Sequence, residues 1–292
     1  MTERLRLEKV VSRVGDLPAI PAIVTEVIDL TSDPDASVSS VSRLIERDPV
    51  LTAKLLKLSN SAYFGMRQVV GTLKLALVIL GVREVRNMVL GIAAIDTLRD
   101  EDTEILLGQE GLWRHSLLVA GIAKKLGAHL GLSHQGEDFI AGLMHDIGKL
   151  VLWKYLGQEY KEIYERAKRE GIPLHQLEED ALGFNHADVV AALAEAWNLP
   201  ETLIFALGAH HLDKGRIPAD GPAPKLAALV RIANAAAWDD FEAEDVGELA
   251  SCTDEAAWKA LATDEGPLDR ESRRAILREI KDEISQTPTL IL

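Results

Sequence analysis

Five imidazoles and one carboxylate are placed where they could do chemistry together. "WRHSLLVAGI" carries His115, and "GLMHDIGKLVLWKYL" carries His145 and Asp146 side by side with Lys149 three residues on. "LGFNHADVVAALAEAW" carries His186, and "LIFALGAHH" ends on His210 and His211. Successive elements are 30, 40 and 24 residues apart, the second interval counted from Asp146. Each lies inside or at the end of an apolar helical pattern, where an ionised carboxylate is costly unless something pairs with it. Helices aimed at one centre can bring imidazoles and a carboxylate together in a bundle core. That donor set suits a divalent transition metal (manganese, iron, nickel or zinc) better than calcium. Asp146 and Lys149 are the candidates for a catalytic role. Plainer readings compete: a lone His on an apolar face is more often a hydrogen-bonded core residue, the His210–His211 pair could finish a helix, and Asp146 could cap one starting at Ile147. The conjunction of the four elements in order favours the metal.

The elements that must position these groups read as helices. Val82, Val85, Met88, Val89 and Ile92 follow the spacing of one buried stripe. Asp48-Pro49 has the form of a helix start, an aspartate cap with proline in the first turn, followed by Leu51, Leu55, Leu56 and Leu58 facing inward. "SDPDAS" at 32–37 is a turn that can cap the next helix, and Gly71, Gly81 and Gly91 read as punctuation between helices. No segment alternates apolar and polar residues between hairpin turns, so the fold class is all-α. The pattern lapses near "LRDEDTE", 98–104, and again near the acidic "DDFEAEDVG", 239–247. These lapses divide the chain into 1–100, 101–240 and 241–292. In the last piece, "ESRRAILREIKDEI" aligns Ile276, Leu277, Ile280 and Ile284. That stripe needs a covering surface, from the core or from a second copy in a homodimer.

The 292 residues are 47% hydrophobic, ample for a sizeable core. A net charge of −14 repels nucleic acid, and the basic spots at Arg83/Arg86 and Lys168/Arg169 have acidic neighbours, as solvated faces do. No apolar run approaches the ~20 residues of a membrane span. "MTERLRLEKVVSRV" reads as an amphipathic helix and not an export signal, and the single Cys252 excludes an internal disulfide and a thiolate zinc cluster. The expectation is a soluble cytoplasmic protein. It has neither a phosphate-cradling P-loop nor a nucleophile elbow.

The order H…HD…H…HH resembles the HD superfamily of helical metal-dependent phosphohydrolases. Leu17-Pro18, Asp48-Pro49, Asn60-Ser61-Ala62 and Leu80-Gly81 narrow the resemblance to the HDOD family, the HD-related output domain of bacterial signalling proteins; it extends through "WRHS", the HD pair, "LGFNHADVV" and "HH" to "VRIAN". The resemblance implies an N-terminal helical subdomain packed on an HD-like helical core. It also implies a first metal held by His115, His145, Asp146 and, where the superfamily has a distal aspartate, Asn234. The two-metal phosphodiesterase branch would add His186, His210 and His211 with Asp146 bridging, and would set Lys149 against substrate phosphate. The chain departs from that branch at Asn234, at Leu212 where a glutamate is expected, and in lacking a Gly-Tyr-Pro after the paired histidines. HDOD proteins commonly lose metal ligands and act as regulatory modules. The expected function is therefore a bacterial signal-transduction output module that works through contacts with signalling partners and keeps part of an HD-type metal site. The alternative is a metal-dependent phosphohydrolase or phosphodiesterase acting on a nucleotide or cyclic nucleotide. Five imidazoles and one aspartate offset little of the charge of two dications, so metal binding is easier to support than turnover. Glu178 and Asp180 could orient an imidazole, although a solvated helix face is the simpler reading of both.

Overall fold

Asp48 and Pro49 start a helix as their chemistry dictates: the Asp48 carboxylate accepts from the N–H groups of Val50 and Leu51, and Pro49 occupies the first turn. The same logic recurs along the chain, with Ser37 and Thr72 capping the helices that follow them. The computed structural model describes residues 18–33, 35–61, 63–66, 68–99, 103, 111–132, 136–211, 221–239, 249–262 and 266–285. The amino-terminal amphipathic stretch, Leu17, Ala62, Leu212, most of 98–104 and nearly all of the second acidic stretch lie outside them.

Among the described residues there is no β-strand. The first group of helices is α1 (Ala22–Ser32), α2 (Val38–Ile45), α3 (Pro49–Ser59), α4 (Leu73–Ile79) and α5 (Val82–Leu98). The second is α6 (Leu112–His129), α7 (Glu137–Met144), α8 (Ile147–Leu156), α9 (Gln158–Glu170), α10 (Leu174–Leu182), α11 (His186–Ala196), α12 (Glu201–Ala209) and α13 (Pro222–Trp238). Two short helices, α14 (Ala250–Thr253) and α15 (Glu255–Ala260), lead to α16 (Arg270–Ser285).

One apolar cluster runs without a break from Val24 in α1 to Val230 in α13, so the first helices and the histidine-bearing helices share a core. Val85, Met88, Val89 and Ile92 are buried in it, as their spacing requires, with Val82 partly covered. Gly81 precedes α5 at φ 92°, a conformation that favours glycine. Gly91, in contrast, is no boundary. It sits inside α5, where an added Cβ would lie 2.5 Å from Ile140 Cδ1 and 2.7 Å from Leu143 Cδ2, so its bare backbone lets α5 press against α7. This corrects the reading of Gly91 as punctuation.

A second apolar cluster joins α6 and α13 to the C-terminal helices through Leu249, Cys252, Trp258, Leu277, Ile280 and Ile284. The stripe of α16 is thus covered by the chain's own core. Lys281 on α16 donates to the carbonyls of Ala236 (3.1 Å) and Asp239 (2.7 Å), closing the C-terminal end of α13. Hydrogen bonds from a charged donor contribute roughly 1.5–3 kcal/mol. Lys281→Met is expected to lower the calorimetric Tm by about 3–6 °C; an unchanged Tm would mean that water serves those carbonyls equally well.

Candidate metal centre

The HD pair forms the corner between two helices. His145 is the C-cap of α7 and Asp146 the N-cap of α8. Two glycines let this corner approach its neighbours. At Gly142 an added Cβ would lie 2.6 Å from Ala120 Cα on α6, and at Gly148 one would lie 2.0 Å from the His186 carbonyl oxygen. α7 therefore packs tightly on the helix that carries His115, and α8 on the start of α11. That start is fixed by a capping box: the Asn185 side chain accepts from Ala187 and Asp188 N–H, and Asp188 accepts from Asn185 N–H. His186 is the first residue of α11, His210 is the C-cap of α12, and Asn234 projects from α13.

These elements bring all seven sequence-predicted metal-site residues together. Asp146 is 1% exposed, and its side chain makes no capping hydrogen bond to α8. Its Oδ2 lies 2.6 Å from Lys149 Nζ, 3.3 Å from His145 Nε2 and 3.8 Å from His115 Nε2. Its Oδ1 lies 3.2 Å from His186 Nε2 and 3.9 Å from His210 Nε2. His211 Nε2 is 2.9 Å from His186 Nε2, and Asn234 Oδ1 is 3.0 Å from His115 Nε2. Lys149 is mostly buried and paired with Asp146.

The outer nitrogens decide which inner atoms carry lone pairs. His145 Nδ1 donates to the Gly142 carbonyl (2.8 Å), His210 Nδ1 to the Leu207 carbonyl (2.6 Å) and His186 Nδ1 to Glu178 Oε2 (2.6 Å). A carbonyl or carboxylate oxygen only accepts, so each of these rings keeps its proton on Nδ1 and, when neutral, presents a lone pair at Nε2. Glu178 also accepts from the His186 N–H (2.9 Å) and from the Tyr160 hydroxyl (2.6 Å). It is fully buried, which corrects the solvated-face reading; Asp180 is exposed, in keeping with it.

Burial pushes the His115 imidazole down to about 3, and burial holds His210 and His211 well below the ordinary value. Burial raises the Asp146 carboxyl, but the neighbouring His145, Lys149 and His186 outweigh it and hold the group well below its usual range. His186 is the exception among the rings. Burial disfavours its charge, yet Glu178 more than compensates and raises it, while His186 lowers Glu178 against the effect of burial.

A pH dependence follows for the metal-free protein. His115, His210 and His211 titrate below 6.5 in the fold, so the unfolded chain takes up protons that the folded chain refuses. Their stabilising contribution is full above pH 6.5 and is lost as the pH falls toward 3; His186, shifted upward, works the opposite way, one group against three. The denaturant midpoint is expected to fall steadily below pH 6.5. A profile flat to pH 5 would contradict neutral buried rings.

Three inner atoms, His145 Nε2, His210 Nε2 and Asp146 Oδ1, are buried with no hydrogen-bond partner. Unsatisfied polar atoms are expensive, and three aimed at one place mark a position for a cation. The ligand atoms of Asp146, His186, His210 and His211 lie within 4.8 Å of one another, as do those of His115, His145 and Asp146. This donor set fits a divalent transition metal.

Sequence reasoning passed over three residues here. Tyr160 fixes Glu178; its available signal was its place with Ile163 and Ala167 in the one buried stripe of α9. His175 stacks on His211 with centroids 4.2 Å apart and planes 13° from parallel. Trp238 stacks on His115 at 4.7 Å although it is 75% exposed, and its place one helical turn after Asn234 was the available clue.

Comparisons with known proteins identify the family and the fold. The HDOD domain family matches residues 17–212. An uncharacterized protein of Treponema pallidum (strain Nichols) is 30% identical over 202 residues, which is 69% of this chain and 39% of that one, so the chain spans well under half of that relative's length. A solved HDOD domain protein of unknown function from Geobacter sulfurreducens superposes with a TM-score of 0.77 at 24% identity over 100% of both chains. A provisionally named phosphohydrolase from Shewanella amazonensis SB2B gives 0.69 at 24% identity over 94% of this chain and 98% of that one. A provisionally named signal transduction protein from Marinobacter aquaeolei VT8 gives 0.69 at 23% identity over 97% and 64%. At these identities the structural likeness is one of fold. The family match covers about two thirds of the sequence and includes the HD pair, the capped His186 and the paired histidines, so the chain belongs to the HDOD domain family.

Proposed function

We propose that this chain is a signal-transduction output module that acts through protein contacts and is built around a metal centre. The observation that carries the reading is the set of buried, unpartnered atoms on His145, His210 and Asp146. Asp146 with His186, His210 and His211 supplies the donor atoms. A bound transition metal would act there as a Lewis acid and would tie α8, α11 and the end of α12 together. The chain's own groups prepare the place: the Gly142 and Leu207 carbonyls and Glu178 set the rings, Tyr160 sets Glu178, and Lys149 balances Asp146. Leu75, Val78 and Ile79 are exposed on one face of α4, with Val69 exposed in the segment before it, and an apolar patch of this kind supports contact with a protein partner.

The centre is poor in negative charge for hydrolysis. Asn234 stands where a carboxylate would add charge, and Lys149 already occupies Asp146 Oδ2. Metal-loaded protein is expected to cleave bis(p-nitrophenyl) phosphate no faster than its His145→Ala and Asp146→Ala variants. Lys149 favours a second reading, a phosphohydrolase, because an ammonium beside the metal ligands suits a phosphate. Turnover by the native chain that both substitutions abolish would install that reading in place of the first.

A further inference from the structure

The two oxygens of Asp146 keep different company. Resting on the reading of the cluster as a metal centre, we infer that it takes one transition-metal ion, on Asp146 Oδ1 with His186, His210 and His211, and that the Lys149 ammonium stands in for a second cation on Oδ2. On the Oδ1 side, two of the three unpartnered atoms, Oδ1 itself and His210 Nε2, join two further imidazoles. Once the proton that His211 Nε2 directs at the His186 Nε2 lone pair has moved to Nδ1, three imidazole nitrogens and one carboxylate oxygen make a complete four-coordinate set for a metal such as zinc.

The Oδ2 side is already occupied. Lys149 Nζ is 2.6 Å from Oδ2, a charge-assisted hydrogen bond at full strength. His115 Nε2 faces Asn234 Oδ1 at 3.0 Å, and because an amide oxygen only accepts, that nitrogen carries a proton here and offers a lone pair only after the proton moves to Nδ1. His145 Nε2 is left alone on this side, 3.3 Å from Oδ2. One imidazole and a carboxylate oxygen engaged by an ammonium do not hold a dication.

Charge argues in the same direction. The negative groups in the buried cluster are Asp146 and Glu178, and the positive one is Lys149. One dication leaves a modest positive excess, whereas two would add four charges against the same pair of carboxylates in a medium that screens poorly. The superfamily pattern puts the first ion with the HD pair and the distal acid. Here Asn234 and Lys149 shift it to the three-histidine side.

The test strips the full chain with chelator, reloads it with cobalt(II), and reads bound metal by mass spectrometry and affinity by competition. The native chain is expected to hold one ion. His211→Ala, with His211→Gln as a second variant, is expected to weaken binding at least about 100-fold, beyond the range of an outer-sphere change. His115→Ala, which removes a ring 3.8 Å from Asp146 Oδ2, is expected to keep one ion and to weaken binding less than His211→Ala does. Lys149→Met frees Oδ2 beside His145 and is expected to raise the stoichiometry to two. Circular dichroism confirms the fold of each variant. Two ions in the native chain, one ion in Lys149→Met, or loss of binding in His115→Ala with retention in His211→Ala would each overturn the inference. Absence of any ion in the native chain would overturn the metal-centre reading itself, an outcome that needs no variant and is therefore distinguishable.

Discussion

Gly148→Ala is expected to be the most damaging glycine-to-alanine change among the described residues. The new Cβ would meet the His186 carbonyl oxygen at 2.0 Å, with the His186 carbonyl carbon at 2.8 Å and its Cα at 3.1 Å. Backbone cannot rotate aside as a side chain can, so α8 and α11 must separate. Overpacking costs about 1–3 kcal/mol when side chains give way, and this contact belongs at or above the top of that range. The expected fall in Tm is about 6–12 °C. The separation also carries Asp146 away from His186, so metal content should drop with stability. A variant melting within about 2 °C of the native chain would contradict the close approach.

Removal of Glu178 should act on the centre without touching a donor atom. Glu178→Ala strands the Tyr160 hydroxyl and the His186 Nδ1 proton, both buried. Breaking a buried charged pair costs about 3–5 kcal/mol, and losing the group that orients a ligating imidazole typically weakens metal binding about 10–100-fold. Glu178→Gln retains an acceptor for one of its partners and should fall between the native chain and the alanine variant on both scales. Calorimetry and metal titration of the three proteins check this ordering. Equal metal affinity in all three would mean that His186 does not need its carboxylate.

Much of this arrangement is legible in the residues alone, and what is not has identifiable causes. The start at Asp48-Pro49, the buried stripe of α5 and the inward face of α16 follow from local chemistry and a 3.6-residue period, and they form as written. The convergence of the histidines was legible only as an ordered pattern, because no spacing fixes how α6, α8, α11 and α12 cross. Gly91 misleads because a glycine in a helical run can mark an end or a close approach, and the deciding neighbour, Ile140, lies far along the chain. Glu178 misleads for a related reason. It neighbours Leu177 on α10, and both are buried, one in the apolar core and the other against Tyr160 and His186. A carboxylate in "QLEEDAL" looks solvated until its distant partners are in place. Lys149 follows the same rule: its destination depends on a carboxylate that the corner between α7 and α8 turns inward.

The central claim is that inward imidazoles and Asp146 hold a transition metal. Elemental analysis of the chain purified without chelator, beside Asp146→Ala prepared identically, tests it most directly. The prediction is about one manganese, iron, nickel or zinc ion per native chain and none in the variant. A native chain that is folded yet takes up none of these metals, even when they are supplied, would contradict it.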